Sequence, residues 1–236
     1  MKKSLFFCLG IILSIVLSGC MYPKENSPQN QIPYTDQVSS VQSAVNQFRE
    51  ANGGILPIKT KTATTPIYQK YPIDFKKIVP LYMAEEPSNA YENGGIFQYV
   101  LVDVENEPSV KLLDLRMAEA IREIKLRINA NGYPPYKEEL ADNVYSLDFQ
   151  KLGYKEEPVA ISPYSQKNLP FIVDGNAEVY VDYRIDLYEK LQKTDSTPKA
   201  GDDIRELLLQ DSLFVPAFSL PYTINSTLKE PIFLAK

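Results

Sequence analysis

Two segments of the chain carry hydrophobic residues at helical spacing. In the first they are Val38, Val41, Val45 and Phe48, and in the second Met117, Ala120, Ile121, Ile124 and Ile128. Such a stripe is typical of a helix with one face packed on a core. Each segment ends in Asn-Gly, at Asn52-Gly53 and Asn131-Gly132, and prolines follow. Because Asn and Gly tolerate the left-handed conformation of a C-terminal cap, the pattern predicts two helices that stop there.

The residues after the two predicted helices resemble one another, which predicts an internal duplication. Three pairs of segments recur in the same order: Ala51-Asn52-Gly53 with Ala130-Asn131-Gly132, Tyr71–Ile78 with Tyr145–Leu152, and the residues from Asn93 with those from Asp174. The offsets of 79, 74 and 81 residues are similar. We therefore expect two tandem helix-plus-strands repeats, at residues 38–110 and 111–194.

Strands are predicted where β-branched and aromatic residues concentrate. The Asp74-Phe75 and Asp148-Phe149 segments and the run from Ile96 to Asp103 fit this description. Phe171 to Val173 and Val179 to Tyr183 flank a Gly-containing turn and predict a β-hairpin. Helices and strands in this order predict an α+β fold.

Polarity changes sharply at Cys20, near the start of the chain. Lys2 and Lys3 precede an apolar run from Leu5 to Leu17, and the residues after Cys20 are polar and rich in Pro, Asn and Gln. A basic start, a short apolar core and small residues before a cut site are typical of a secretory signal peptide. An uncleaved membrane anchor is the alternative, but this run would span only about 20 Å as a helix, less than the hydrocarbon core of about 30 Å.

Leu17-Ser18-Gly19-Cys20 resembles the lipobox of bacterial lipoproteins. The resemblance implies that Leu17, Ser18 and Gly19 are recognised by the signal peptidase, which cleaves before Cys20. It also implies S-diacylglycerol on Cys20 and a free amino group open to N-acylation. Since two or more acyl chains hold a protein stably at a bilayer, Cys20 is interpreted as a lipid anchor.

This interpretation divides the chain into five parts. Residues 1–19 are the lipoprotein signal peptide, and residues 20–37 are the lipidated cysteine and a flexible, disordered tether. The two repeats follow. Residues 195–236 contain a short helix at Ile204 to Leu208, capped by Asp202 or Asp203, and an apolar, proline-interrupted extended strap packed on the body.

The composition excludes several kinds of chemistry. The chain has no histidine, and its two cysteines are Cys8, in the signal peptide, and Cys20. Catalysis by Ser-His-Asp or Cys-His, disulfides and Cys or His zinc sites are therefore not expected, and neither a metal nor a cofactor is predicted. Removal of Lys2 and Lys3 with the signal peptide changes the net charge from −5 to −7, so nucleic acid is not an expected partner.

A few polar residues invite a functional interpretation beside a structural one. Asp74 and Asp148 recur in the repeat, but a turn with a core phenylalanine is favoured. Asp174, Asn176 and Glu178 and the trio Asp103, Glu105 and Glu107 faintly resemble calcium loops, but a plain turn is favoured because the other ligands are missing. The 16 tyrosines, among them Tyr133, Tyr136, Tyr164 and Tyr222, suit a recognition surface or a core equally well.

Two wider resemblances concern the whole body. A helix ending in Asn-Gly, an Asp-Phe segment and the Gly-Gly-x-Phe-x-Tyr strand loosely resemble pilin and pseudopilin heads, which begin with a long apolar helix where this chain has a lipobox. The whole chain resembles lipoproteins of the YphF-like group of Bacillus-type Firmicutes, a resemblance that implies no particular activity.

These observations predict a protein on the extracytoplasmic face of the cell membrane, anchored through the lipid on Cys20. Its expected role is non-enzymatic binding or assembly in the cell envelope, with an envelope protein as partner. A solute-binding receptor of a transporter is an alternative. A carboxylate-based cell-wall enzyme is another, and would need two acids facing a groove about 5–9.5 Å apart.

Overall fold

The structure is a computed structural model that describes residues 34–194, 198–225 and 227–234. The predicted signal peptide, the predicted lipobox with Cys20 and the predicted tether up to residue 33 lie outside these residues. The first part of the fold contains helix α1, the one-turn helix α2 and strands β1 and β2, which span Tyr34–Ala51, Phe75–Ile78, Phe97–Val102 and Ser109–Asp114. The second part contains helix α3 (Leu115–Asn131), strands β3 to β7 and helix α4 (Arg184–Lys193).

Strands β1 and β2 form an antiparallel hairpin against which α1 packs. Phe97 lies opposite Asp114, and Val102 lies opposite Ser109 at the far end of the hairpin. The stripe predicted for α1 is buried in this contact, since Val41 and Val45 are fully inaccessible to solvent. Aromatic residues from the loop and the hairpin fill the rest of this core, where the rings of Phe75 and Tyr99 meet edge to face.

The second part is built on an antiparallel sheet whose central strand is β6. Its strands are β3 (Tyr136–Ala141), β4 (Val144–Leu147), β5 (Val159–Ile161), β6 (Asn168–Asp174) and β7 (Val179–Val181). Strand β6 pairs with β4, β5 and β7, and the β6–β7 pair is the predicted hairpin. Helix α3 covers this sheet with the predicted stripe, and Gly132 ends it in the left-handed conformation at φ 85°. This cap is the predicted Asn-Gly stop.

The C-terminal segment joins the two parts by backbone hydrogen bonds. The amide of Leu112 in β2 donates to Leu213, and the amide of Val215 donates back to Leu112. A few residues later the carbonyl of Phe218 accepts from Val181 in β7, at 2.8 Å. The segment then forms a hairpin of its own, β8 (Tyr222–Ile224) with β9 (Pro231–Phe233). It therefore covers an edge of each sheet, and the described residues from Thr35 onward form one compact unit.

The α+β class is confirmed, as are both main helices, the β1 strand and the capped turn at Ile204–Leu208, where the carboxylate of Asp203 accepts from the amide of Arg205. Helix α1 begins at Tyr34, so residues 34–37 of the predicted tether are helical. Because these four residues are mostly polar, the hydrophobic pattern does not show that they belong to the helix. Asp36 is nevertheless favourable at the positive end of the helix dipole. The predicted boundary between residues 110 and 111 falls inside β2.

The strand prediction was wrong at the two Asp-Phe pairs themselves, although residues 145–147 of the second segment belong to β4. After Asp74 the chain forms the one-turn helix α2, and after Asp148 it forms a turn. In each segment the residue three positions after the aspartate donates its amide to the aspartate carbonyl, at 3.0 Å and 3.2 Å. A segment this short with one buried phenylalanine has no measurable period, so its sequence does not distinguish a strand from a turn.

Candidate functional site

Two adjoining surface cavities lie at the far end of the β1–β2 hairpin, and we name them together the hairpin groove. The first measures about 1110 Å³ and the second about 720 Å³. Val102, Asp103, Leu209 and Gln210 line both. The groove is therefore formed by the first part of the fold and by the C-terminal segment. The other cavities described, on the second sheet, measure about 130 Å³ and 250 Å³.

The first cavity lies between the last turns of α1 and strand β2. Most of its lining residues are of polar types, and they include Gln42, Asn46, Arg49 and Glu50 of the helix and Glu107, Ser109 and Lys111 of the hairpin. The amide group of Gln42 fixes the two walls against each other. It accepts from the backbone of Val110 at 2.7 Å and donates to the carbonyl of Pro108 at 3.0 Å.

Lys111 connects this cavity to the C-terminal segment. Its ammonium donates to the carbonyls of Leu209 and Ser212, at 3.1 Å and 2.5 Å. Partial burial lowers the pKa of Lys111, and the carboxylate of Asp211 acts in the opposite direction. Because the ammonium is hydrogen-bonded to these carbonyls, Lys111 has a structural role in the wall of the first cavity.

The second cavity has an aromatic floor and acidic walls. Tyr68 and Tyr71 contribute rings, and Asp103, Glu105, Asp203 and Glu206 contribute carboxylates. Among the residues described, no lysine or arginine lines this cavity. Burial raises the pKa of Tyr68, and the nearby Arg205 guanidinium acts in the opposite direction.

Arg205 supports that floor from beneath. Its guanidinium lies 5.1 Å from the centre of the Tyr68 ring and forms a forked pair with Asp203, at 2.6 Å for the shortest contact. It also donates to the carbonyl and hydroxyl of Ser219, each at 3.2 Å. The floor residue Tyr68, from the first part of the fold, is thus held by the C-terminal segment.

The turn between the two strands carries the acidic trio noted in the sequence. Asp103 has a positive φ of 49°, and its carboxylate accepts from the side chain of Asn106 at 2.8 Å. The favoured plain turn is what the structure shows here. The trio is nevertheless brought to the groove, because Asp103 lines both cavities, Glu107 the first and Glu105 the second.

The other predicted polar sites are turns away from the groove. The Asp174 carboxylate accepts from the amides of Asn176 and Glu178, both at 2.9 Å, and Glu178 pairs with Lys125. The Asp148 carboxylate accepts from the amide of Lys151, whereas Asp74 has no side-chain capping bond. Within the described ranges, no group of three or more His, Cys, Asp or Glu residues is placed to hold a metal ion.

The tyrosines divide between core and surface. Of those singled out in the sequence, Tyr222 is buried, Tyr164 is half-buried, and Tyr133 and Tyr136 are exposed. Tyr68 and Tyr71, which contribute to the groove, were not singled out. Their position in the hairpin groove depends on long-range packing. The only local signal in the sequence is that each lies near a proline.

A separate polar cluster lies under the β5–β6 loop. The carboxylate of Asp186 on α4 is 2% exposed and accepts from the hydroxyls of Ser162 and Ser165, at 2.8 Å and 2.6 Å. Burial raises the pKa of this carboxyl, while the two hydroxyls act to lower it. The Ser162 hydroxyl also accepts from the amides of Tyr164 and Ser165, so the cluster fixes the loop.

A sequence signal that was overlooked is Asp-x-Arg, which occurs at Asp114, Asp182 and Asp203. Each aspartate accepts from the amide of the arginine two positions later and also pairs with its guanidinium, at 2.6 Å in all three. Each motif starts a helical segment, namely α3, α4 and the turn at Ile204–Leu208. The motif therefore marks helix starts with an ion pair, and Asp114 and Asp203 are also the N-cap residues of their segments.

Comparison with protein families gives a match to the first part of the fold. Residues 34–114 match the YphF family N-terminal domain, which covers α1 through the last residue of β2 and about a third of the chain. No curated protein and no solved structure matches the chain. Across the ranges that the structure describes, no helix has both the length and the apolar character needed to cross a membrane.

Proposed function

We propose that this protein is a lipid-anchored member of the YphF family that binds another envelope component on the extracytoplasmic face of the membrane through the hairpin groove. The role is binding or assembly, without catalysis. The observation that carries the proposal is the groove itself: two adjoining cavities, large for this body, at one end of the family domain.

The lipid anchor is supported by the sequence. Leu17-Ser18-Gly19-Cys20 follows a basic and then apolar start, and Cys20 is the one cysteine that remains after cleavage before it. Charge does not attach an acidic protein to an anionic membrane, so the acyl chains on Cys20 supply the attachment.

The groove suits a segment of a protein with a positive net charge. Glu105 and Glu206 have no ion-pair partner in the part of the chain described, and the Tyr71 ring adds a large apolar face with a polar tip. Charge complementarity of this kind guides association and suppresses wrong partners. The walls offer amide, hydroxyl and carboxylate groups, and no thiol or imidazole exists in the mature chain to act as a nucleophile or proton shuttle.

The proposal is tested by crosslinking the full-length protein in its native membrane, followed by affinity capture and mass spectrometry. The control is Cys20→Ala, which removes the acyl acceptor. We expect one reproducible envelope partner in the wild type and its loss in the control. Metabolic labelling with an alkyne fatty acid should mark the wild type and not Cys20→Ala. A wild type that takes up no label contradicts the anchor.

A solute-binding receptor is the second candidate, because the first cavity would hold a small molecule. A thermal-shift screen with sugars, peptides and metal ions separates the two candidates, since a ligand raises the unfolding temperature by mass action. A saturable shift with one small solute, together with no captured protein, would favour the receptor. A carboxylate-based cell-wall enzyme would instead release soluble glycan fragments from purified wall.

A further inference from the structure

The chain contains two copies of the tripeptide Asn-Gly-Gly in different structural surroundings. Asn52-Gly53-Gly54 follows the end of α1, and Asn93-Gly94-Gly95 lies in the loop before β1. Both asparagines are exposed. An asparagine followed by glycine is open to attack on its side-chain amide by the next backbone nitrogen, because glycine has no side chain to obstruct the approach.

The two copies differ at the attacking nitrogen. The amide of Gly94 donates to the carbonyl of Tyr91 at 3.1 Å. In the third Asn-Gly pair, the amide of Gly132 donates to the carbonyls of Ile128 and Asn129. The amide of Gly53 has no hydrogen-bond acceptor among the described residues, while its neighbour Gly54 donates to Arg49 at 2.9 Å.

The side-chain hydrogen bonds do not favour reaction at Asn52, which has one more of them than the other two asparagines. The Asn52 amide group donates to the carbonyl of Phe48 at 2.8 Å and to the hydroxyl of Tyr82 at 3.5 Å. That of Asn93 donates to the carbonyl of Glu86 at 3.2 Å and that of Asn131 to the carbonyl of Tyr133 at 2.9 Å. Space does not distinguish the sites either, since an added Cβ at Gly53, Gly94 or Gly132 would meet no atom within 4 Å.

We infer that Asn52 is a site of spontaneous deamidation in the folded protein, ahead of Asn93 and Asn131. The Gly53 nitrogen loses its proton and attacks the Asn52 side-chain carbonyl carbon, a C–N bond forms, and the amide nitrogen leaves as ammonia. Water then opens the cyclic imide at either carbonyl, which gives aspartate or isoaspartate. The step consumes one water and needs no oxidant, reductant or cofactor.

The modification changes the rim of the hairpin groove. Arg49, Glu50 and Gly54, on either side of Asn52, line its first cavity. The new carboxylate lies after the last turn of α1, at the negative end of the helix dipole. The conversion also removes the side-chain N–H of Asn52 that donates to the carbonyl of Phe48. Deamidation therefore adds negative charge beside the groove and weakens the end of the helix that forms its wall.

The inference is tested on the full-length protein, incubated in mildly alkaline buffer and sampled over days. Tryptic peptides separate Asn52 from Asn93 and Asn131, and fragment masses locate each converted residue. Since the net worth of a hydrogen bond corresponds to roughly two- to tenfold in a rate, we expect Asn52 to convert about that much faster than Asn93. A parallel sample in strong denaturant is the control, because the two identical tripeptides should convert there at equal rates.

Two results would overturn the inference. One is equal conversion of Asn52 and Asn93 in the folded protein. The other is the same preference for Asn52 in denaturant, which would assign the difference to sequence outside the tripeptide. Neither result bears on whether the groove binds a partner, so the proposed function stands or falls separately.

Discussion

The part of the chain that matches the family domain and the part that follows it differ in how they use their residues. Residues 34–114 form a two-stranded hairpin with one covering helix, and the hairpin groove lies at its end. The part from Leu115 onward forms a larger sheet with two helices and a larger hydrophobic core, in which the residues of the C-terminal segment take part. The cavities described there measure about 130 Å³ and 250 Å³, which is small beside the groove.

The difference indicates that the two parts have different roles. The second part and the C-terminal segment form the larger hydrophobic cluster, and burial of apolar surface is the main source of stability. They also support the first part, because Phe214 and Val215 lie against its hairpin and Arg205 lies under Tyr68. The first part can then keep an open groove at the end of its hairpin.

Removal of residues 204–236 should have the largest effect. The deletion takes away Val215, Leu220 and Tyr222 from the core and uncovers an edge of each sheet. We expect loss of cooperative unfolding in both parts, measured by thermal and denaturant melts of the unlipidated body. An unchanged single transition would show that the two parts do not depend on the C-terminal segment.

One substitution made in each part tests whether they unfold together. Phe75 and Phe171 are both 1% exposed and lie in different hydrophobic clusters. Phe75→Ala and Phe171→Ala should each lower the free energy of unfolding by about 3–5 kcal/mol in a single transition. Two separate transitions, each shifted by one of the variants, would contradict the single compact unit.

Substitutions in the Asp-x-Arg pairs should have an intermediate effect. In Asp203→Asn the cap is kept, but the Arg205 guanidinium, whose side chain is 11% exposed, loses its counter-charge. We expect a loss of about 1–3 kcal/mol, because a buried charge left without its partner is costly. Asp114→Asn is the matched control and should cost less than about 1 kcal/mol, since the Arg116 side chain is 62% exposed. Equal losses in denaturant melts would contradict the supporting role of Arg205.

The pH dependence at Asp186 should be the smallest effect and is confined to the second part. Burial raises the folded-state pKa of this carboxyl above its unfolded value, so its contribution is fully present below the unfolded pKa of about 3.9 and is lost as the pH rises through the folded value. The unfolding free energy of the wild type minus that of Asp186→Asn should therefore decrease from acidic toward neutral pH. A constant difference in melts across this range would contradict the raised pKa.

The sequence predicted the parts of the fold that depend on local patterns. The stripe from Val38 to Phe48, the Gly132 cap and the β6–β7 hairpin have clear periods or turn residues, and all are present. The hairpin groove could not be predicted, because Tyr68, Lys111 and Leu209 are far apart in the chain and meet only through the C-terminal segment. The acidic trio at Asp103 is visible in the sequence, but the missing calcium ligands favoured a plain turn there. Nothing near the trio in the sequence predicts that Leu209 and Gln210 line the same groove.

The most direct test of the central claim, that the hairpin groove is the binding face, is a charge reversal in the full-length, lipidated protein. The double variant Glu105→Lys with Glu206→Lys reverses the charge at two exposed positions of the second cavity. The matched control, Glu138→Lys with Glu156→Lys, makes the same change of net charge at exposed positions of the second part. After crosslinking in the native membrane, we expect the groove variant to lose at least tenfold of the captured partner and the control to retain it. Equal capture by both variants would contradict the account.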